Sequence, residues 1–177
     1  FINKKFSLSE LDINTRTIEI KNLISFVRSI EDNPQIFILE KLVKKGYLIA
    51  DINLKFDQKG NIKDDFIIKG FVKDGEVKPF KKIDLSKINF IFTIQNNEFE
   101  FKDINLSYDN NDLKFPELIL IKQKNEFLIS GKNKNKNLVF DDKKINQLFN
   151  NDFFNLKFES AEFDLENTFS FKINDKY

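Results

Sequence analysis

The sequence has no cysteine, histidine, methionine or tryptophan. Without thiols and imidazoles there are no disulfides, no soft-metal ligands and no usual general base, which leaves carboxylates, lysines and hydroxyls as the only catalytic candidates. Arginine is confined to Arg16 and Arg28, and 29 basic residues stand against 28 acidic ones for a net charge of +1. A chain so balanced, with lysine carrying nearly all its positive charge, has neither the long-range field nor the forked guanidinium groups that gather nucleic acid, so nucleic acid is not expected as a partner. No run of about 18 uncharged apolar residues is present to span a bilayer, and no charged-then-apolar leader opens the chain. Phosphate-binding loops, glycine-rich dinucleotide fingerprints and nucleophile elbows are missing as well. The expectation is a non-enzyme with no catalytic residue, no metal site and no cofactor.

What is present is alternation. From Phe163 to Ile173 the odd positions read Phe163, Leu165, Asn167, Phe169, Phe171 and Ile173, while the even ones read Asp164, Glu166, Thr168, Ser170 and Lys172. Period two held for about a dozen residues makes roughly 40 Å of extended chain, oily on one side and wet on the other, as in a large one-sided sheet. Lys, Ile, Phe and Asn fill more than half of all positions, and their codons are all rich in A and T, so placement carries more information than totals. The 177 residues suffice for one domain with a core or for a slice of something longer. An opening Phe1 without methionine and an end directly after a strong strand read as a cut piece.

Along the chain, residues 6–20 read as one or two strands, with Phe6 and Leu8 alternating, then Ile18 and Ile20. From Asn22 to Lys45 the spacing becomes helical, with Leu23, Ile24, Phe26, Val27 and Ile30 before a break at Asp32-Asn33-Pro34, and Ile36, Leu39, Leu42 and Val43 after it. Asn33 suits an N-cap, Pro34 the first helical turn, Lys41, Lys44 and Lys45 the last turn, and Gly46 the left-handed position that ends a helix. Two short helices, forming a helical insertion over 22–45, are expected.

Beyond Gly46 the reading is β. Ile52, Leu54 and Phe56 alternate up to the turn Asp57-Gln58-Lys59-Gly60-Asn61, and the return strand carries Phe66, Ile68 and Val72, with Gly70 marking a bulge or a close approach. A turn at Asp74-Gly75 leads past Pro79 to Ile88, Phe90, Phe92 and Ile94. A hairpin at Asn96-Asn97 gives Phe99 and Phe101, and the switch of phase to Ile104, Leu106 and Tyr108 predicts a bulge near Lys102-Asp103. Strands over Leu113 to Ile121 and Glu126 to Ser130 precede a solvated loop at Gly131 to Asn137. A short helix from Asp142 to Asn150 carries Ile145, Leu148 and Phe149, and strands at Phe154 to Phe158 and Phe163 to Ile173 follow. Ile52 to Asp57, Ile104 to Asp109 and Phe154 to Glu159 share one pattern about fifty residues apart, a spacing seen in stacked units, although residues this common also align by chance.

The acidic pairs Asp64-Asp65 and Asp141-Asp142 read as turns and caps. Asp109 to Asp112 imitates part of a calcium loop, but Lys114 occupies the position where such a loop needs glycine. Lys81-Lys82 and the lysines from Lys132 to Lys136 read as solvated surface rather than headgroup contacts. The apolar stripes either pack against a second layer, as in an ordinary sandwich, or form a groove for something greasy, because few helices are available to cover many long strands.

The order of elements from Gly46 to Lys136 resembles the AsmA-like proteins of Gram-negative bacteria. The resemblance rests on Gly46-Tyr47-Leu48-Ile49-Ala50-Asp51-Ile52-Asn53-Leu54, Gly60-Asn61-Ile62, Ile68 to Val77, and the hairpins ending in Leu128-Ile129-Ser130-Gly131. Ser160 to Phe171 fits the same rhythm. The resemblance implies an envelope protein anchored in the inner membrane and crossing the periplasm, related to bridge-like lipid transfer proteins. It further implies a mainly β fold with a few short helices, a long, curved antiparallel sheet forming an open groove of repeating type. On that expectation 46–140 is one β-hairpin unit and 141–177 begins the next. The lining expected to hold phospholipid acyl chains is Ile52, Leu54, Phe56, Phe66, Ile68, Phe90, Phe92, Ile94, Phe163, Leu165, Phe169 and Phe171. The competing expectation is an extended β-scaffold whose packed sheet binds envelope protein partners.

Overall fold

Period-two alternation becomes a single sheet. The computed structural model describes residues 8–30, 34–80, 83–143 and 159–174. The strands are β1 (Glu10–Asn14), β2 (Ile18–Glu19), β3 (Val43–Lys55), β4 (Ile67–Phe80), β5 (Ile83–Gln95), β6 (Glu98–Tyr108), β7 (Asn111–Gln123), β8 (Glu126–Phe140) and β9 (Ala161–Asn174), and the helices α1 (Ile20–Ile30) and α2 (Pro34–Leu42) fall between β2 and β3. All nine strands form one open antiparallel sheet in the order β1-β3-β4-β5-β6-β7-β8-β9, with β2 continuing the β1 edge of β3. The mainly β, open antiparallel architecture expected from the sequence is the one observed.

Tight turns make this meander. Asp109 and Asn110 both have positive φ, 47° and 65°, as a two-residue hairpin turn matched to the twist of its strands requires. The stretch that imitates a calcium loop is this hairpin. At Asp57 the carboxylate accepts hydrogen bonds from the backbone N–H of Lys59 and Asn61 at 2.8 and 2.9 Å, which closes the predicted turn before β4. Bonds from the Asn61 side chain and backbone, in that order, then Lys59 and Gly60, hold the Asp57 carboxyl below its ordinary range.

One left-handed residue in each of four strands switches the phase of the apolar side. Asp74 in β4, Lys87 in β5, Asp103 in β6 and Asn137 in β8 have φ of 52°, 49°, 52° and 54°. Register shifts accompany those in β4, β5 and β8. The predicted bulge at Asp103 is therefore one of four. Each bulge moves the apolar positions from one parity to the other, so Leu106 and Tyr108 stay with Phe101, and Leu138 and Phe140 stay with Ile129. Asp74-Gly75 is consequently part of β4 and not a turn, a correction with a clear cause: the same residue chemistry serves a hairpin turn and a bulge.

Two apolar clusters result. Ala50, Val72 and Phe92 are buried together with Leu48, Ile52, Ile68, Phe90, Ile94 and Phe101 against them. Tyr108, Leu138 and Phe140 form the second, with Ile83, Leu85, Leu106 and Leu113.

The stretch from Gly131 to Asn137 also departs from expectation, being part of β8 instead of a solvated loop. Lys132, Lys134 and Lys136 are exposed, but Asn133 and Asn135 are buried. The ladder between β7 and β8 stops at Glu117 and Lys132. Past that point Asn135 Oδ1 accepts from the Lys114 N–H at 2.6 Å while its Nδ2 donates to the Lys114 carbonyl at 3.3 Å. Asn111 likewise accepts from the Val139 N–H at 2.8 Å and donates to the Val139 carbonyl at 3.0 Å. Side-chain amides replace the missing backbone pairs, as buried polar backbone requires.

The helices lie at one end of the apolar side. Ile24 of α1 is buried and Ile20 packs on the first cluster. Ser25 donates to Glu40 at 3.1 Å and Arg28 pairs with the same carboxylate, tying α1 to α2. The Ser25 hydroxyl first, and then Arg28, hold Glu40 below the usual carboxylate range. The second helix ends at Leu42, so residues 43–45 of the expected helical stretch are strand, and Gly46 lies inside β3 rather than ending a helix. Its φ of 141° and the closeness of Ile20 Cδ1, 3.0 Å from where a Cβ would sit, explain the glycine. Most of the expected helix at Asp142 to Asn150, the strand at Phe154 to Phe158 and the third copy of the short repeat lie outside the described residues.

Candidate functional site

The most continuous surface feature of the described residues is the apolar side of the sheet. Directly opposed residues of an antiparallel pair lie on the same side. By that rule Ile13, Ile52, Ile68, Ile94, Phe99, Leu120, Ile129 and Phe171 form one row from edge to edge. Beside it runs a second row, Ala50, Gly70, Phe92, Phe101, Leu118, Gly131 and Phe169. A ring lies over each glycine of this row: a Cβ on Gly70 would stand 2.5 Å from Phe92 Cζ, and one on Gly131 would stand 2.7 Å from Phe169 Cζ.

Of the side chains singled out in the sequence, Ile52, Ile68, Ile94 and Phe171 fall in the first row, and Phe92 and Phe169 in the second. Phe90 packs on the first cluster, 5.5 Å from the ring of Phe101. Leu54 opposes Leu11 at the β1 edge, while Phe163 opposes Leu138 and stands 5.8 Å from the ring of Phe140. Leu165 opposes Asn135. Phe56 and Phe66 sit at the ends of the β3–β4 connection, where Phe56 bridges to Ile62 outside the rows. The reading missed Phe99, Phe101, Leu118, Leu120 and Ile129, whose alternation is visible but whose side is fixed only by register.

Burial on this side is uneven, deep in the two clusters and shallow between them and the β9 edge. Phe92 is 7% exposed and Phe171 48%. Over the first cluster lies a cavity of about 300 Å³ between α1 and strands β3 to β6, bounded by Ile20, Val43, Val72, Phe90 and Phe101 among others, with Lys45 at its margin. The opposite side is not uniformly wet, because Ile49, Phe71 and Ile91 oppose one another there and are 46%, 38% and 47% exposed.

Among the described residues no group of three or more acidic side chains is placed to hold a metal ion. The acidic pair at Asp64-Asp65 is a surface turn in which Asp65 pairs with Lys55 at 3.0 Å. That partner lowers the Asp65 carboxyl and raises the Lys55 ammonium. Among the described residues no helix is long and apolar enough to cross a membrane. What this arrangement can do is exclude water from hydrocarbon. Comparison with family models, with curated proteins and with solved structures finds no match for the chain.

Proposed function

We propose that this chain is a lipid-binding segment of a larger bridge-like protein of the bacterial envelope, with acyl chains lying on the apolar rows of its sheet. The observation that carries the reading is the row from Ile13 to Phe171, apolar at every strand it crosses. Among the described residues only α1 and α2 pack across that side, and their main contacts are with β2, β3 and β4 at one end of the sheet. Each methylene placed there is dehydrated for about 0.8 kcal/mol, so an ordinary acyl chain gains enough to offset its ordering. The resemblance to AsmA-like proteins is what supports a periplasmic setting with an inner-membrane anchor elsewhere in the protein.

A scaffold reading is favoured by the packed cluster around Phe92, which needs no ligand. Lipid extraction and mass spectrometry of the purified chain separate the two. Phospholipid is expected to accompany the wild type, and Phe99→Asp together with Phe171→Asp is expected to remove most of it while leaving the β circular dichroism spectrum in place. A wild-type chain free of lipid, or substitutions that unfold it, would favour the scaffold.

A further inference from the structure

Resting on that reading of the apolar side, we propose that the cavity beside α1 takes amphiphiles with an anionic head, and that Lys45 holds the head at its mouth. Lys45 is the one charged side chain among the described residues that bound the cavity. It is also exposed, and a lysine that both borders apolar space and reaches water lays its stem along the wall and keeps its ammonium outside.

That ammonium is free to take an anion. Lys45 has no ion pair among the described residues, as is also true of Lys69, Lys73 and Lys114; what sets it apart is its place on the cavity wall. Glu76 is its cross-strand neighbour on β4, and the two form no such pair. An uncharged amphiphile gains only burial here. An anionic one adds a charge-assisted hydrogen bond at the border of a low-dielectric space, where it is stronger than in open water. A fatty-acid carboxylate and a lipid phosphate present the same chemistry.

The experiment compares dodecanoate and dodecyl phosphate below their micelle concentrations with dodecanol below its solubility limit, on the wild type and on Lys45→Gln. One or both anions are expected to bind the wild type about three- to tenfold more tightly than the alcohol, the larger preference telling carboxylate from phosphate. Lys45→Gln is expected to bring the anions to the alcohol's affinity and leave the alcohol unchanged. A readout on the wild type alone is salt, which should shrink the preference. Equal binding of all three ligands, a preference that survives Lys45→Gln, or one that ignores salt overturns the role of Lys45 and leaves the acyl-chain surface standing. Binding of none of the three overturns both.

Discussion

A hydrogen atom in place of a methyl group sets how the second row packs. At Gly70 a Cβ would meet Phe92 Cζ and the Ile49 carbonyl oxygen, both at 2.5 Å, and the second of these belongs to backbone that cannot swing aside. Gly70→Ala is therefore expected to destabilise the fold by about 1–3 kcal/mol, the usual range for overpacking, seen as a lower denaturant midpoint. An unchanged midpoint would mean that β3 and β5 yield more easily than their packing indicates. The sequence marks Gly70 as a bulge or a close approach, and choosing between them needs the partner, Phe92, which lies on another strand. Gly131 was less legible. Its polar neighbours imitate a loop, and the ring of Phe169 that covers it is far away in the sequence.

The strands themselves were legible wherever alternation stayed in phase, as in β9, which runs unbroken over Ala161–Asn174. They were least legible where β7 and β8 part. Alternating Lys and Asn over Lys132 to Asn137 looks solvated on both sides, because nothing in composition tells a buried, fully bonded asparagine from an exposed one. Asn135 is the clearest case, since it takes both the N–H and the carbonyl of Lys114. Asn135→Ala leaves those groups without their partner and is expected to cost about 1–3 kcal/mol. Hydrogen exchange at the Lys114 amide should accelerate, while the Val139 amide, held by Asn111, should change much less. Equal acceleration at both amides would show that the strands open as one unit and that the two asparagines do not act separately.

For the whole molecule, surface area is the decisive quantity. The chain exposes 13706 Å². A compact monomer of 21.0 kDa would expose about 9,000 Å² by the usual scaling. No large side chain among the described residues is less than 2% exposed. A single layer this open has its stability concentrated in the two clusters, and among the described residues no second layer covers the remainder of its apolar side. Phe92→Asp, inside the first cluster, is therefore expected to cost at least the 3–5 kcal/mol typical of truncating a packed Phe, whereas Phe171→Asp, half exposed near the β9 edge, should cost about 1 kcal/mol or less. The same division governs heat. A ligand that binds only the folded chain, at one hundred times its Kd, adds about 2.7 kcal/mol. For a chain of this size that raises Tm by about 5–10 °C. Dodecanoate or dodecyl phosphate at such a concentration should produce that rise, followed by calorimetry, with the midpoint increasing as ligand is added. A midpoint that stays fixed, or falls as it would in a denaturing detergent, would mean that the apolar side does not hold acyl chains.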